Sequence, residues 1–163
     1  MASTLPASVL NLIEMSPVED LLLELLRDGL PDTAVQTLIN GKQTFPFVML
    51  RSTGSWGTWQ GDERFIDSST IEVHAFCKGI NADADANLLS EAVRVILRDS
   101  RNKVVPDKGH LISVEMLDRP SRSPDWATSV GPVQYADLPT GVERWETTYR
   151  VTIRKPANKP FAV

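Results

Sequence analysis

Residues 70 to 78 alternate strictly between two sets of side chains, and no other feature of the sequence constrains the fold as much. The odd-numbered positions are apolar or small and the even-numbered ones mostly polar: Ile71, Val73, Ala75 and Cys77 against Glu72, His74, Phe76 and Lys78. A period of two residues is that of a β-strand, whose side chains point alternately to the two faces of a sheet. The chain therefore needs a sheet with one apolar face that other elements cover.

The same period returns near the end of the sequence, from Arg144 to Arg154, and predicts a second long strand there. One face of that strand would carry Trp145, Thr147, Tyr149, Val151 and Ile153. Shorter strands are predicted over 33–39, 45–50 and 110–117, and Asn40-Gly41 has the composition of a turn. Pro46 cannot donate a ladder hydrogen bond, so we expect it at a strand start or an edge.

Two amphipathic helices accompany the strands. Ser16-Pro17-Val18-Glu19 has the pattern of a capping box and predicts a helix over 17–28, with Gly29 as its left-handed cap. A second helix is predicted to begin at a cap provided by Asp83 or Asp85. Its expected buried stripe consists of Leu89, Ala92, Val93, Ile96 and Leu97.

The order of these elements, α-β-β-β-α-β-β, predicts the fold class. Most links between strands are too short for crossover helices, which favours an α+β fold. We expect a single domain with an antiparallel or mixed sheet of about five strands and two helices packed on one face. The domain would span 1–163, with a core over about 17–155, a proline-containing loop over 118–142 and a C-terminal tail over 156–163.

Composition limits the classes of function. With 163 residues, 42% hydrophobic and 23% charged, the chain is of ordinary size for one soluble globular domain. A net charge of −4 argues against a broad DNA-binding face driven by bulk charge. The first basic residue is Arg27, and no apolar run approaches a membrane span, so we expect no secretion signal, no membrane partner and synthesis in the cytoplasm.

Catalytic and cofactor-binding patterns are not found in the sequence. Cys77, the single cysteine, lies three residues from His74, which would put the two side chains on opposite faces of one strand. With two histidines and one cysteine the chain has no zinc-binding pattern. The glycines at 54, 57 and 61 match neither phosphate-binding motif. We therefore expect no enzyme activity, no cofactor and no metal.

Aromatic residues in the loops are the first candidates for an interface. Trp56 and Trp59 lie in a stretch rich in glycine and serine, and Trp126 lies in the long loop. Each could fold back onto the domain's own core. Each could equally anchor a partner, because tryptophan is enriched at binding hot spots.

Charge is distributed unevenly along the chain. Residues 1–32 contain six acidic residues and one arginine, whereas residues 147–163 contain no acid and four cations: Arg150, Arg154, Lys155 and Lys159. A solvated surface would explain this asymmetry. It would also suit head-to-tail self-association, in which an acidic surface of one copy meets a basic surface of the next.

Taken together, the elements resemble those of the tail terminator, or tail completion, proteins of long-tailed bacteriophages, the lambda-type terminator family. The resemblance covers about residues 17–155. It rests on five segments: the helix at 17–28, a strand begun by Phe45-Pro46, the strand at 69–76, the helix at 84–97 and the strand at 145–154.

This resemblance implies a structural protein of the virion, assembled in the host cytoplasm. Proteins of the family form a hexameric ring that caps the tail tube, ends its polymerisation and joins the tail to the head–neck connector, and genomic DNA passes through the lumen without sequence-specific binding. The implied partners are further copies of the chain, the tube protein and the connector. The alternatives are another neck component, such as a head-closure or adaptor protein, or a cytoplasmic ligand-binding α/β domain with Trp56 and Trp59 over a pocket. A small hydrolase is a more distant alternative.

Overall fold

Three helices and six strands make up the described part of the chain. The structure is a computed structural model that describes residues 4–13, 16–39, 43–54, 66–123 and 139–156. The helices are α1 (Ala7–Leu10), α2 (Val18–Gly29) and α3 (Ala82–Asp99). The strands are β1 (Ala34–Gln36), β2 (Phe47–Gly54), β3 (Ile66–Lys78), β4 (Val104–Val105), β5 (Gly109–Arg122) and β6 (Val142–Arg154).

The strands form one mixed sheet in the order β1-β2-β3-β6-β5-β4. Its centre is the antiparallel pair β3 and β6, which stay in register over their whole length. Only β1 is parallel to its neighbour. At the other edge β4 pairs with Gly109 and His110 alone, so β5 beyond Leu111 has no outer strand neighbour among the described residues. The α+β class and the mixed sheet are confirmed, with one two-residue strand, β4, and one four-residue helix, α1, more than expected.

Both long helices pack on one face of the sheet, as predicted. The main core lies between them and the odd-numbered residues of β3 and β6, so the expected strand faces are confirmed. Its fully buried members include Leu21, Leu22, Leu26, Val93, Leu97, Ile71, Tyr149, Val151 and Ile153. The opposite face, which neither α2 nor α3 covers, is called the helix-free face below.

The predicted helix starts are wrong in detail. No side chain caps α2, which begins after Pro17, and Glu19 bonds elsewhere: its carboxylate accepts a hydrogen bond of 2.7 Å from the backbone nitrogen of Ser52. In α3 the N-cap residue is Asn81, so Asp83 and Asp85 lie inside the first turn. In both places acidic residues favour the helix start through its dipole without capping it.

Gly29 is not the left-handed cap that the sequence predicted, because it is the last residue of α2 and has no positive φ. A Cβ atom there would lie 2.8 Å from Cδ1 of Ile96 in α3. A larger residue at position 29 would therefore have to displace the side chain of Ile96, so glycine lets α2 pack closely against α3 here.

The buried stripe of α3 is rotated from the predicted one. Val93 and Leu97 are buried as expected, but Leu89, Ala92 and Ile96 are only half-buried. Small residues complete the stripe: Ala82, Ala86 and Ser90. Alanines let the first half of α3 lie close to β3 and β6, where Ala82 and Ala86 pack with Cys77 and Trp145.

The loop predicted for 118–142 begins later than expected, because β5 continues through Pro120 to Arg122. Proline is tolerated there since β5 loses its regular register with β6 between Asp118 and Ser121 and lies towards the sheet edge. Among the described residues no helix is long and apolar enough to cross a membrane.

Candidate interaction surface

The structure places only part of the predicted interface. Trp56, Trp59, Trp126 and Lys159 lie outside the described residues. Arg150 and Arg154 lie on β6, and Lys155 follows it directly. The structure therefore places Arg150, Arg154 and Lys155 on or directly after one strand. The interface role of the tryptophans stays a prediction.

Arg150 and Arg154 share the helix-free face, because both occupy even-numbered positions of β6. Arg150 is not available as a bare cation: its Nη1 donates a 3.0 Å hydrogen bond to Oε2 of Glu115 on β5. Glu115 is exposed and Arg150 is half-buried, and an ion pair so close to the surface contributes little to stability. Arg154 is exposed at the end of β6, whereas Lys155 is half-buried.

An aromatic cluster covers the other end of the same face. The rings of Phe47 and Phe76 stack with centroids 4.4 Å apart and planes 11° apart, and Phe45 leans on Phe47 at 5.3 Å. Met49 and Val142 complete the buried cluster. The chain around Phe45 thus folds over the helix-free face and buries this end of the sheet.

Between the two ends lies a buried imidazole surrounded by charges. His74 is 3% exposed, and its ring nitrogens lie 3.5 Å from Oε2 of Glu72 and 3.8 Å from Oε2 of Glu146. Burial, helped by the guanidinium groups of Arg144 and Arg51, lowers the pKa of His74 to about 3. These effects outweigh the two carboxylates, so the imidazole is neutral at physiological pH.

The charges around His74 form a network that ties three strands together. Burial raises the pKa of Glu72, and the neighbouring carboxylate of Glu146 adds to that effect. Nη2 of Arg144 donates to Oγ of Ser123, and this hydroxyl donates a 3.3 Å hydrogen bond to Glu146. The end of β5 is thereby attached to β6. The sequence analysis did not single out Arg144 or Glu146, although both are polar positions in the alternation of β6.

Cys77 and His74 do not form a nucleophile–base pair in the described part of the chain. Cys77 is 5% exposed on the face covered by the helices, whereas His74 lies on the helix-free face, as predicted. Burial, helped by the carboxylate of Asp85, raises the pKa of the Cys77 thiol to about 11. Within the described ranges no three His, Cys, Asp or Glu side chains are placed to hold a metal ion.

Comparison with known proteins gives one kind of match. No family model matches the sequence, and no curated protein does. A solved structure does match: a chain of the "Virion of native gene transfer agent (GTA) particle" superposes on 84% of this chain and 94% of its own length, with a TM-score of 0.55 and 14% identity. The two chains share a fold. At this identity the likeness concerns architecture and gives no correspondence between individual residues.

Proposed function

We propose that this chain is a structural protein of a virion, and that it forms a ring which caps the tail tube and ends its polymerisation. The observation that carries the proposal is the fold shared with nearly the whole length of a chain from a gene transfer agent virion. The finer role, a ring at the end of the tail tube, is proposed from the resemblance of its elements to those of phage tail terminators. The ring would join the tail to the head–neck connector.

The surface of the domain supports an assembly role. A ring requires that each copy use two different faces, and the two faces of this sheet differ. One is covered by α2 and α3, and the other carries the exposed Arg154 of β6 at one end and a buried aromatic cluster at the other. The partners we propose are further copies in a hexameric ring, the tube protein and the connector, with assembly in the host cytoplasm.

DNA passing through such a ring must not be held. The net charge of −4 supports this, because a protein that grips the phosphate backbone concentrates Lys and Arg on the surface it offers. On the helix-free face the cation Arg150 is paired with Glu115. We therefore propose that DNA traverses the lumen without sequence-specific binding.

Electron microscopy of the purified protein, alone and mixed with growing tail tubes, tests the proposal. We expect rings, rings at one end of each tube, and tubes that stop lengthening once the protein is added. A ring that binds isolated head–neck complexes but leaves tube growth unchanged would indicate a different neck component. A stable monomer that ignores tubes and binds small molecules would overturn the proposal in favour of a ligand-binding domain.

A further inference from the structure

The outer edge of β5 is open over most of its length. β4 covers its first two residues, and the backbone nitrogen and carbonyl oxygen of Leu111 bond Lys103 and Asn102. Beyond Leu111 no backbone hydrogen bond joins this edge to another described residue. The outer N–H and C=O groups of residues 112–117 can therefore pair with an added strand.

Only one half of this edge carries the features that discourage strand pairing. Residues 118–122 include Pro120, three charged side chains and a shift of the register with β6. Residues 112–117, called the open stretch below, contain no proline and one charge, on Glu115, which is paired with Arg150. The four central residues of the open stretch keep a regular register with β6. Native proteins protect an apolar, regular edge of this kind, so we expect another strand to cover it.

We infer that residues 157–163 of one copy, called the tail segment below, add as a strand to the open stretch of β5 in a second copy. This inference rests on the proposed ring and names a contact within it. Two copies that paired β5 with β5 would close as a dimer, whereas a ring needs a donor that differs from its acceptor. The opposite sheet edge is a poorer donor, because the carbonyl oxygen of Val35 in β1 already accepts from Arg27.

The position, length and charge of the tail segment suit this role. It lies outside the described residues and follows β6, whose last residue, Arg154, pairs with His110 at the covered end of β5. Seven extended residues span roughly 23 Å and the six residues of the open stretch roughly 20 Å, so the two lengths match. Lys159 is the one charge of the tail segment, opposite in sign to Glu115. Pro160 has no N–H to donate, but an added strand is an edge, where proline is tolerated.

The acceptor is a second copy because the tail segment is too short to cover the open stretch of its own chain. The open edge lies on the far side of β5 from β6. To reach it the chain must cross two strand spacings, about 10 Å, which uses roughly three of its seven residues. The rest would leave part of the open stretch uncovered, whereas the tail segment of a neighbour can lie along all of it.

Hydrogen exchange in the full chain and in a variant that ends at Pro156 tests the inference. At assembly concentration we expect every second amide of the open stretch to exchange at least tenfold more slowly in the full chain, because alternate N–H groups of a strand point to its outer edge. A synthetic peptide of residues 155–163 should restore this protection in the shortened variant. The matched control is the same peptide methylated on the backbone nitrogens of residues 161–163, which keeps the side chains but cannot donate these hydrogen bonds.

Cross-linking gives a second measurement that does not depend on the folding of the shortened variant. Phe161→Cys in one copy and Met116→Cys in a size-tagged second copy should form a mixed disulfide at least tenfold faster than Phe161→Cys with Leu38→Cys. Leu38 is 70% exposed beyond β1, at the other sheet edge, and Cys77 is buried and serves as an unreactive internal thiol.

Equal exchange of the open stretch with and without the tail segment overturns the inference, as does a mixed disulfide no faster than the control. Protection that persists when the full chain is diluted to a monomer also overturns it, because the tail segment would then pair within its own chain. These results are separate from the fate of the proposed function. Rings of the shortened variant that still cap tubes refute the strand contact alone, and tail-dependent protection in assemblies that never cap tubes refutes the proposed function alone.

Discussion

Glu19 on α2 accepts a hydrogen bond from the backbone nitrogen of Ser52 on β2, 33 residues away in sequence. Two turns further along α2, Arg27 donates from Nε and Nη2 to the carbonyl oxygen of Val35, the central residue of β1. One helix thus bonds backbone groups of two strands at the same edge of the sheet. Edge strands are otherwise open to pairing with another chain, and these two side chains occupy two of the backbone groups that such pairing would use.

Replacing Glu19 tests this closure. Glu19→Ala should lower the free energy of unfolding by about 0.5–1.5 kcal/mol, and Glu19→Gln, which keeps an uncharged acceptor, should lose less. Urea denaturation gives the energies, and hydrogen exchange at the Ser52 amide locates the effect. Unchanged protection of that amide in Glu19→Ala would show that the hydrogen bond does not form in solution.

Truncation of the core should separate buried from exposed positions. Leu22→Ala should destabilise by about 2–4 kcal/mol and Val93→Ala by about 1–3 kcal/mol, because both side chains are fully buried between helices and sheet. Leu88→Ala on the outer side of α3 is the matched control and should stay within about 0.5 kcal/mol. Thermal and chemical denaturation measure all three. Equal losses of stability at Leu88 and Val93 would mean that α3 turns a different side towards the core.

The thiol of Cys77 should resist alkylation in the folded protein. With a pKa of about 11, only about 0.1% of it is thiolate at pH 8, and burial blocks access as well. Labelling followed by mass spectrometry should be slow in buffer and fast in denaturant. Rapid labelling of the native protein, with the far-ultraviolet circular dichroism unchanged, would contradict the burial of this strand face.

Acid should destabilise the protein through His74. Because the folded pKa of about 3 lies below the ordinary value of 6.5, the unfolded chain binds a proton more readily between these two values. Stability should therefore fall as the pH drops from 6.5 towards 3, by at most about 1.4 kcal/mol per pH unit from this group. The raised pKa of Glu72 acts in the opposite sense just above 4.5 and offsets part of the slope.

His74→Leu is the variant that isolates this effect. It removes the titrating group, so the plot of stability against pH between 5 and 6.5 should become flatter than in the unmodified protein. Parallel pH profiles for the unmodified protein and His74→Leu would mean that His74 titrates normally in the folded state.

The tryptophans at 56 and 59 remain predicted partner contacts. The double variant Trp56→Ala/Trp59→Ala should fold with an unchanged melting temperature and assemble poorly, because two aromatic anchors are lost from an interface. Light scattering and calorimetry on the same sample separate the two properties. A lower melting temperature of the isolated monomer would assign these side chains to the domain's own core.

The alternation of β3 and β6 was enough to predict which face of the sheet each side chain of the central strands occupies. With a period of two residues, the apolar set must face the core and the other set must lie on the opposite face. Val73 and Tyr149 are buried where that period puts them. The helix caps were not predictable in the same way. Glu19 fits a capping box locally, but its carboxylate bonds Ser52, and no local pattern reveals a partner 33 residues away.

The polar network on the helix-free face depends on which strands are neighbours and in which register, and the sequence of a single strand does not specify either. His74 meets Glu146 because β3 and β6 are in register at these two residues, and Ser123 joins them through the end of β5. The alternation showed that these side chains lie on one face but not which strands are neighbours. β4 escaped prediction for another reason, since two residues are too few to show any period.

The difference between the two sheet edges limits how copies of this chain can join by their strands. Val35 and Ser52 bond α2 at one edge, while β5 from residue 112 to 122 has no described strand beside it. Among the described strands, β5 is therefore where a strand of another chain could add to the sheet through backbone hydrogen bonds. Growth of a sheet from one molecule to the next needs an open edge on both sides of every unit, and at the β1 side two backbone groups are already bonded to α2.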